Sequence, residues 1–190
     1  MKTVKTTFSE GIPQALAKGH CPICALIAEF QERLIAGTQS CEISALCNYH
    51  AWSMAKAAPA DMAARIFVQL VDRTRDWRPS DPDMECSFCE RVDEHELARM
   101  EEMTEQFERA PIREWMKLQG SFCLRHARKL NDSLPEDLRD LVVQITVRSR
   151  AELKDELTSL LAHLRSGDRT GWGVLGRAAE FLTSQRGMRR

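Results

Sequence analysis

The chain has 190 residues, 43% hydrophobic and 29% charged, with a formal net charge of −1. That is enough for one domain or two small ones with a real apolar core, so bound metal would supplement packing rather than replace it. The near-neutral balance gives no general attraction to nucleic acid or anionic membrane, and no apolar run approaches the roughly 20 residues that span a bilayer. The basic start Met1-Lys2-Thr3-Val4-Lys5 leads into no apolar signal segment, so the expected location is cytoplasmic.

Helical periodicity dominates, and the expected fold class is all-α. Ile12-Pro13 suits a helix start and Gly19 its end. Residues 22–36 read as a helix with Ile23, Leu26, Ile27, Phe30 and Leu34 on one face and Gly37 as the stop. A second helix is expected over 42–57, ended by Ala58-Pro59. A third runs from Ala60 to Trp77, with Met62, Ile66, Leu70 and Val71 inward. Arg78-Pro79-Ser80-Asp81-Pro82-Asp83 reads as a linker. Beyond Cys89 a long helix spaces Leu97, Met100, Met103 and Phe107 by threes and fours until Pro111 breaks it. Another helix carries Trp115 and Leu118, and Leu134-Pro135 restarts the chain. Leu153, Leu157, Leu160, Leu161 and Leu164 mark an amphipathic helix ending near Gly167, and a last helix lies around Val174–Ser184. No alternating strand pattern is present. Met54, Met62, Met100, Met103, Phe107, Trp52 and Trp115 read as core.

Subtracting positions exposes a duplication. Cys47 and Cys123, His50 and His126, Ala51 and Ala127, Pro59 and Pro135, Asp61 and Asp137, and Val71 and Val147 are each 76 residues apart. Apolar positions keep the same register: Leu46 with Phe122, Met54 with Leu130, Met62 with Leu138, Ile66 with Val142. The pairs Cys21/Cys24 and Cys86/Cys89 are offset by 65, so the second copy carries 76 − 65 = 11 extra residues between its motifs. The expected organisation is a helical repeat over 1–80 with an N-terminal helix, a second repeat over 81–153, and a helical extension over 154–190 with an arginine-rich tail. The repeats are expected to pack as one helical domain about an approximate twofold.

Six of the seven cysteines fall in these motifs. In a reducing compartment such a set points to metal or redox chemistry more than to disulfides. Three thiolates and one imidazole form a standard tetrahedral zinc set. Pro22 favours a tight turn aiming Cys21 and Cys24 inward, and ligands three apart share a helix face. The expected metal ligands are therefore Cys21, Cys24, Cys47 and His50 at one point, and Cys86, Cys89, Cys123 and His126 at another. Two zinc ions are the first choice. An iron–sulfur cluster is the alternative, because three Cys and one His can also hold a [2Fe–2S] centre. Plain buried thiols or a thiol–disulfide pair would explain the cysteines, but not a histidine recurring at the same place in both copies.

Other polar residues carry weaker readings. Cys41 has Lys117 opposite it and reads as a buried thiol, with redox sensing as the alternative. His20 abuts the first motif and is a weak candidate ligand, since Glu85 stands opposite it. His95 and His163 read as surface or edge residues. The stretch 81–108 holds eleven acids against Arg91 and Arg99, the pattern of a solvated face or a docking site for a basic partner. The six arginines over 165–190, against Asp168 and Glu180, are a candidate contact for acidic groups.

The order Cys-Pro-x-Cys, Cys-x-x-His, a second copy, then Gly171-Trp172-Gly173 with Arg177, Ala178, Glu180 and Leu182 resembles an uncharacterised prokaryotic family, a domain of unknown function with duplicated motifs of this kind. The resemblance spans most of the chain and implies no particular activity. Ser87 stands where the second motif would have its proline, and Cys41 is additional. Three functions follow as expectations: a zinc-stabilised interaction or regulatory module with a protein partner; an iron–sulfur or thiol-based redox protein; and, opposed by the charge balance, a nucleic-acid-binding regulator. Closed four-ligand sites, and the lack of a triad or phosphate-loop motif, point away from an enzyme.

Overall fold

The computed structural model describes residues 20–38, 43–75, 78, 85–166, 171 and 173–184. The helix expected over 12–19, Cys41, most of the linker and the end of the arginine-rich tail lie outside them. The described residues are 82% helical with no strand and form eight helices, as the periodicity required. These are α1 (Pro22–Ala36), α2 (Asn48–Ala57), α3 (Ala60–Arg73), α4 (Ser87–Phe107), α5 (Ala110–Gln119), α6 (Leu124–Ser133), α7 (Glu136–Arg165) and α8 (Gly173–Thr183). No described helix is long and apolar enough to cross a membrane.

Local chemistry sets the boundaries. Pro22 occupies the first position of α1, where its missing N–H costs nothing. Gly37 N donates to Arg33 O and Thr38 Oγ1 to Leu34 O, closing the helix's last turn. Pro59 and Pro135 end α2 and α6 by forcing the preceding residue out of helical backbone, and Ala58 and Leu134 are both extended. Gly120 ends α5 and must be glycine, since a Cβ there would stand 2.7 Å from Met116 O. The Arg148 guanidinium donates to Lys117 O and Gly120 O, satisfying carbonyls at the end of α5 from α7.

These boundaries keep the 76-residue register, consistent with a duplicated unit. Adding 76 to α2 (48–57) gives α6 (124–133), and α3 and α7 both begin one residue after an equivalent proline. The 65-residue register extends past the cysteines: Ile23 with Phe88, Ile27 with Val92, Gln31 with Glu96, and Ile35 with Met100 are all buried pairs. Phe30 and His95 are also equivalent (95 − 30 = 65) and stack on each other at 4.0 Å. The extra residues of the second copy appear as a longer α4 and the additional helix α5.

The chain forms two compact units, interleaved in sequence where the repeat suggested consecutive ones. One takes the described residues up to Leu26 together with those from Ala98 to Ser184; the other takes those of Ile27–Leu97. In the first, α6, α7 and α8 pack on one another, α5 lies on α7, and Phe107 meets Phe122 edge to face at 6.0 Å. In the second, α2 packs on α3, and the Arg73 guanidinium donates to Ile43 O at 2.8 Å. Two inward assignments are corrected: Trp52 is 63% exposed and Val71 68%. The second helix starts at Asn48 and the third ends at Arg73, shorter than the apolar pattern suggested. Leu134-Pro135 leads into one continuous helix of 30 residues rather than a restart followed by a separate leucine-rich helix.

Two candidate metal centres

Each of the four motifs is the same local device. Cys21, Cys47, Cys86 and Cys123 immediately precede α1, α2, α4 and α6 and sit at their N-caps. Their carbonyls accept the first helical N–H, from Ala25, Ala51, Glu90 and Ala127, at 3.0, 2.9, 3.2 and 2.9 Å. The second residue of each motif, Cys24, His50, Cys89 or His126, falls three positions later, inside the first turn. An N-cap and the third helical position lie side by side, which is why the capping box uses this spacing. Cys-x-x-Cys and Cys-x-x-His are therefore two versions of one helix start. The positive end of each helix favours thiolate over thiol there.

Two helix starts converge at each centre, but not in the expected pairing. Cys21, Cys24, Cys123 and His126 form one cluster, all four buried; Cys47, His50, Cys86 and Cys89 form the other, with Cys47 half-buried. In each, the candidate ligand atoms lie within 4.8 Å of one another. The first cluster falls wholly in the first unit and the second wholly in the second. The Cys-x-x-Cys pair of each repeat thus meets the Cys-x-x-His pair of the other. His20, adjacent to Cys21, stays outside the cluster; its Nδ1 bonds Glu180 Oε2 at 2.7 Å.

The donor geometry suits a single cation. His126 Nδ1 stands 3.3 Å from Cys21 Sγ, 3.4 Å from Cys24 Sγ and 3.2 Å from Cys123 Sγ. His50 Nδ1 stands 3.4 Å from each of Cys47, Cys86 and Cys89 Sγ. The sulfur pairs Cys24–Cys123 and Cys47–Cys89 are 3.6 Å apart. Tetrahedral ligands at ordinary zinc–sulfur and zinc–nitrogen lengths stand roughly 3.5–3.8 Å apart, so small outward shifts accommodate an ion.

Electrostatics agrees with the geometry. The hydrogen bond to Cys123, then that to Cys21, then burial push the Cys24 thiol strongly up. The bonds from Cys21 and Cys24, with help from His126, hold Cys123 strongly down against its burial. At Cys86 burial opposes ionisation, but His50 and backbone donors outweigh it and bring the thiol down to about 6. Packed thiols that must share protons are a site where a bound cation relieves the competition.

The centres have different supports. At the first, Glu180 on α8 accepts Cys21 N at 3.0 Å with one carboxylate oxygen while holding His20 with the other. At the second, Ser87 N donates to Ala45 O at 3.2 Å and Ser87 Oγ bonds Ser44 Oγ at 2.7 Å. His50 Nε2 is buried with no partner among the described residues, and the Tyr49 and Phe88 rings meet the imidazole edge-on. Glu180 escaped the sequence reading. No motif or spacing in the sequence marks it as a partner of Cys21.

No protein-family model, curated protein or solved structure matches the chain.

Proposed function

We propose that this protein is a helical module held by two structural zinc ions, one in each Cys₃His centre, acting through contacts with a protein partner. The observation that carries this reading is that each imidazole Nδ1 touches all three sulfurs of its set. A [2Fe–2S] cluster divides its ligands between two irons bridged by sulfide, so one histidine would not stand against all three cysteines. Four protein ligands close the coordination sphere, which suits a structural rather than a hydrolytic role. Exposed apolar residues give a partner something to hold: Trp52, Val68 and Val71 in one unit, and Leu118, Val143 and Val147 in the other.

Metal analysis of the natively purified protein, with thermal melts before and after chelation, tests the proposal. About two zinc per chain with a chelator-lowered melting temperature is expected, since metal that binds only the folded state stabilises it. Iron with acid-labile sulfide would replace the reading with a redox one. A metal-free protein whose melt ignores chelators would remove both.

A further inference from the structure

The first unit contains a cleft of about 660 Å³ beside the first centre, bounded by the end of α7 and the start of α8 and closed at one side by His20. Its volume lies within the range of small-molecule sites. The floor is apolar, with the side chains of Leu160 and Val174 buried beneath it. Most of the lining is apolar, and a few polar groups stand at its edge. Arg177 is fixed at the rim by a two-pronged pair with Glu156, which leaves part of its five-donor guanidinium available. His163 and Ser159 also line the cleft, and neither side chain has a bonding partner among the described residues. Gly173 and Gly176 bare the first turn of α8, since a Cβ at either would meet nothing within 4 Å. A ligand can therefore approach that backbone closely, on the side where the helix favours negative charge. Glu156 also lines the cleft, where its carboxylate is paired with Arg177, and Glu180 is held by His20 and the Cys21 amide.

We infer that this cleft binds a small organic acid, a carboxylate or a phosphate ester, with its anionic head against His163, Arg177 and the first turn of α8 and its apolar body over Leu160 and Val174. The inference is independent of the metal's identity and adds a ligand to the module proposed above. It also gives the Gly–x–Gly and Arg-Ala-x-Glu elements of the last helix a shared purpose: the glycines and Arg177 form the cleft, and Glu180 joins its far wall to the backbone of Cys21.

The test is an NMR titration of the full, metal-loaded chain with phenyl phosphate, benzoate and neutral benzyl alcohol. Saturable shifts confined to Gly173–Arg177 and the His163 region are expected for at least one of the two acids, and whichever binds more tightly identifies the head group. Benzyl alcohol should bind at least about tenfold more weakly. Gly176→Leu, which fills the cleft and improves helix propensity, should weaken acid binding about tenfold or more, and His163→Ala several-fold. Both variants should keep wild-type metal content and helicity. His163 is exposed, so His163→Ala remains informative even if Gly176→Leu perturbs the helix. No saturable shift with either acid, equal binding of benzyl alcohol, or wild-type affinity in both variants would overturn the inference. Metal content is read separately, so failure here is distinguishable from failure of the zinc reading.

Discussion

The two centres share a ligand set and a helix-start geometry, yet they are not equally protected. At the first, all four ligands are buried, and the N-cap amide of Cys21 is held by a carboxylate from α8. At the second, Cys47 is half-buried, His50 keeps one ring nitrogen without a partner among the described residues, and support comes from a neighbouring serine and a backbone carbonyl. The difference lies in the residues that surround each set. The C-terminal extension supplies Glu180 to the first centre. A metal-ligating histidine that donates its other N–H is oriented and made more basic. Identical ligands can therefore give one tight centre and one labile one, because the surrounding groups decide how easily a ligand swings away.

The strongest break on this picture is a count of metal equivalents. Cys24→Ser with Cys123→Ser removes two ligands of the first centre and should leave about one equivalent per chain. Cys24→Ser with Cys47→Ser strikes both centres and should leave none. Pairing within each repeat would reverse these outcomes: none for the first pair and one for the second. Elemental analysis on folded, monodisperse protein decides it. Loss of a metal belongs to the short list of changes that cost more than about 4 kcal/mol, so each emptied centre should lower the melting temperature by roughly 8–16 °C.

The pairing is also where sequence reasoning ran out. The all-α fold, the eight candidate ligands and the 76-residue register were legible because a three-residue spacing reports which side chains share one helical turn, and because a duplication repeats its boundaries. Which turns meet is a tertiary fact. Chain closure favours near partners only weakly. Cys24 lies 23 residues from Cys47 and 99 from Cys123, a difference worth about 1.3 kcal/mol in loop entropy. A difference that small does not decide which turns meet. Trp52 and Val71 were misplaced for a related reason, since apolar character and helical spacing do not say which helix face finds a neighbour.

Next in size is the rate of metal loss. Chelator challenge should release the first equivalent several-fold faster than the second, and the early equivalent should be the one absent from His50→Ala. Equal rates, or early loss from the first centre, would contradict the asymmetry. The chelated protein carries a related pH signature. In the folded chain Cys86 is held near 6, below its ordinary 9.0, so its contribution is fully present above pH 9 and is lost as pH falls through about 6. The melt of the metal-free protein should therefore gain stability between those values, and Cys86→Ala should flatten that gain.

Glu180→Ala probes the support of the first centre. It strands the buried Cys21 amide and releases His20, a loss of about 1–3 kcal/mol. Metal release from the first centre should then approach that of the second while both equivalents still bind. A melt and a release profile unchanged from wild type would show that the extension is not what protects this centre.

The smallest effect separates the two Cys-x-x-Cys turns. Pro22 and Ser87 are equivalent (87 − 22 = 65), and the missing proline at Ser87 looks in sequence like a degraded motif. In the fold it is an adaptation. Ser87 N donates to Ala45 O, and its hydroxyl bonds Ser44, so this residue ties the start of α4 to the strand of chain that delivers Cys47. Proline could make neither bond, although its fixed backbone suits the first helical position equally well. Ser87→Pro should therefore destabilise by about 1 kcal/mol, a fall of roughly 2–4 °C, and should hasten metal loss from the second centre alone. Pro22→Ser removes no hydrogen bond, because Glu180 holds the amide of Cys21 and not of residue 22, so it should change the melt by less. If Ser87→Pro instead stabilised the protein, the serine would be a mere loss of the proline, and the difference in support between the two centres would rest on Glu180 and His50 alone.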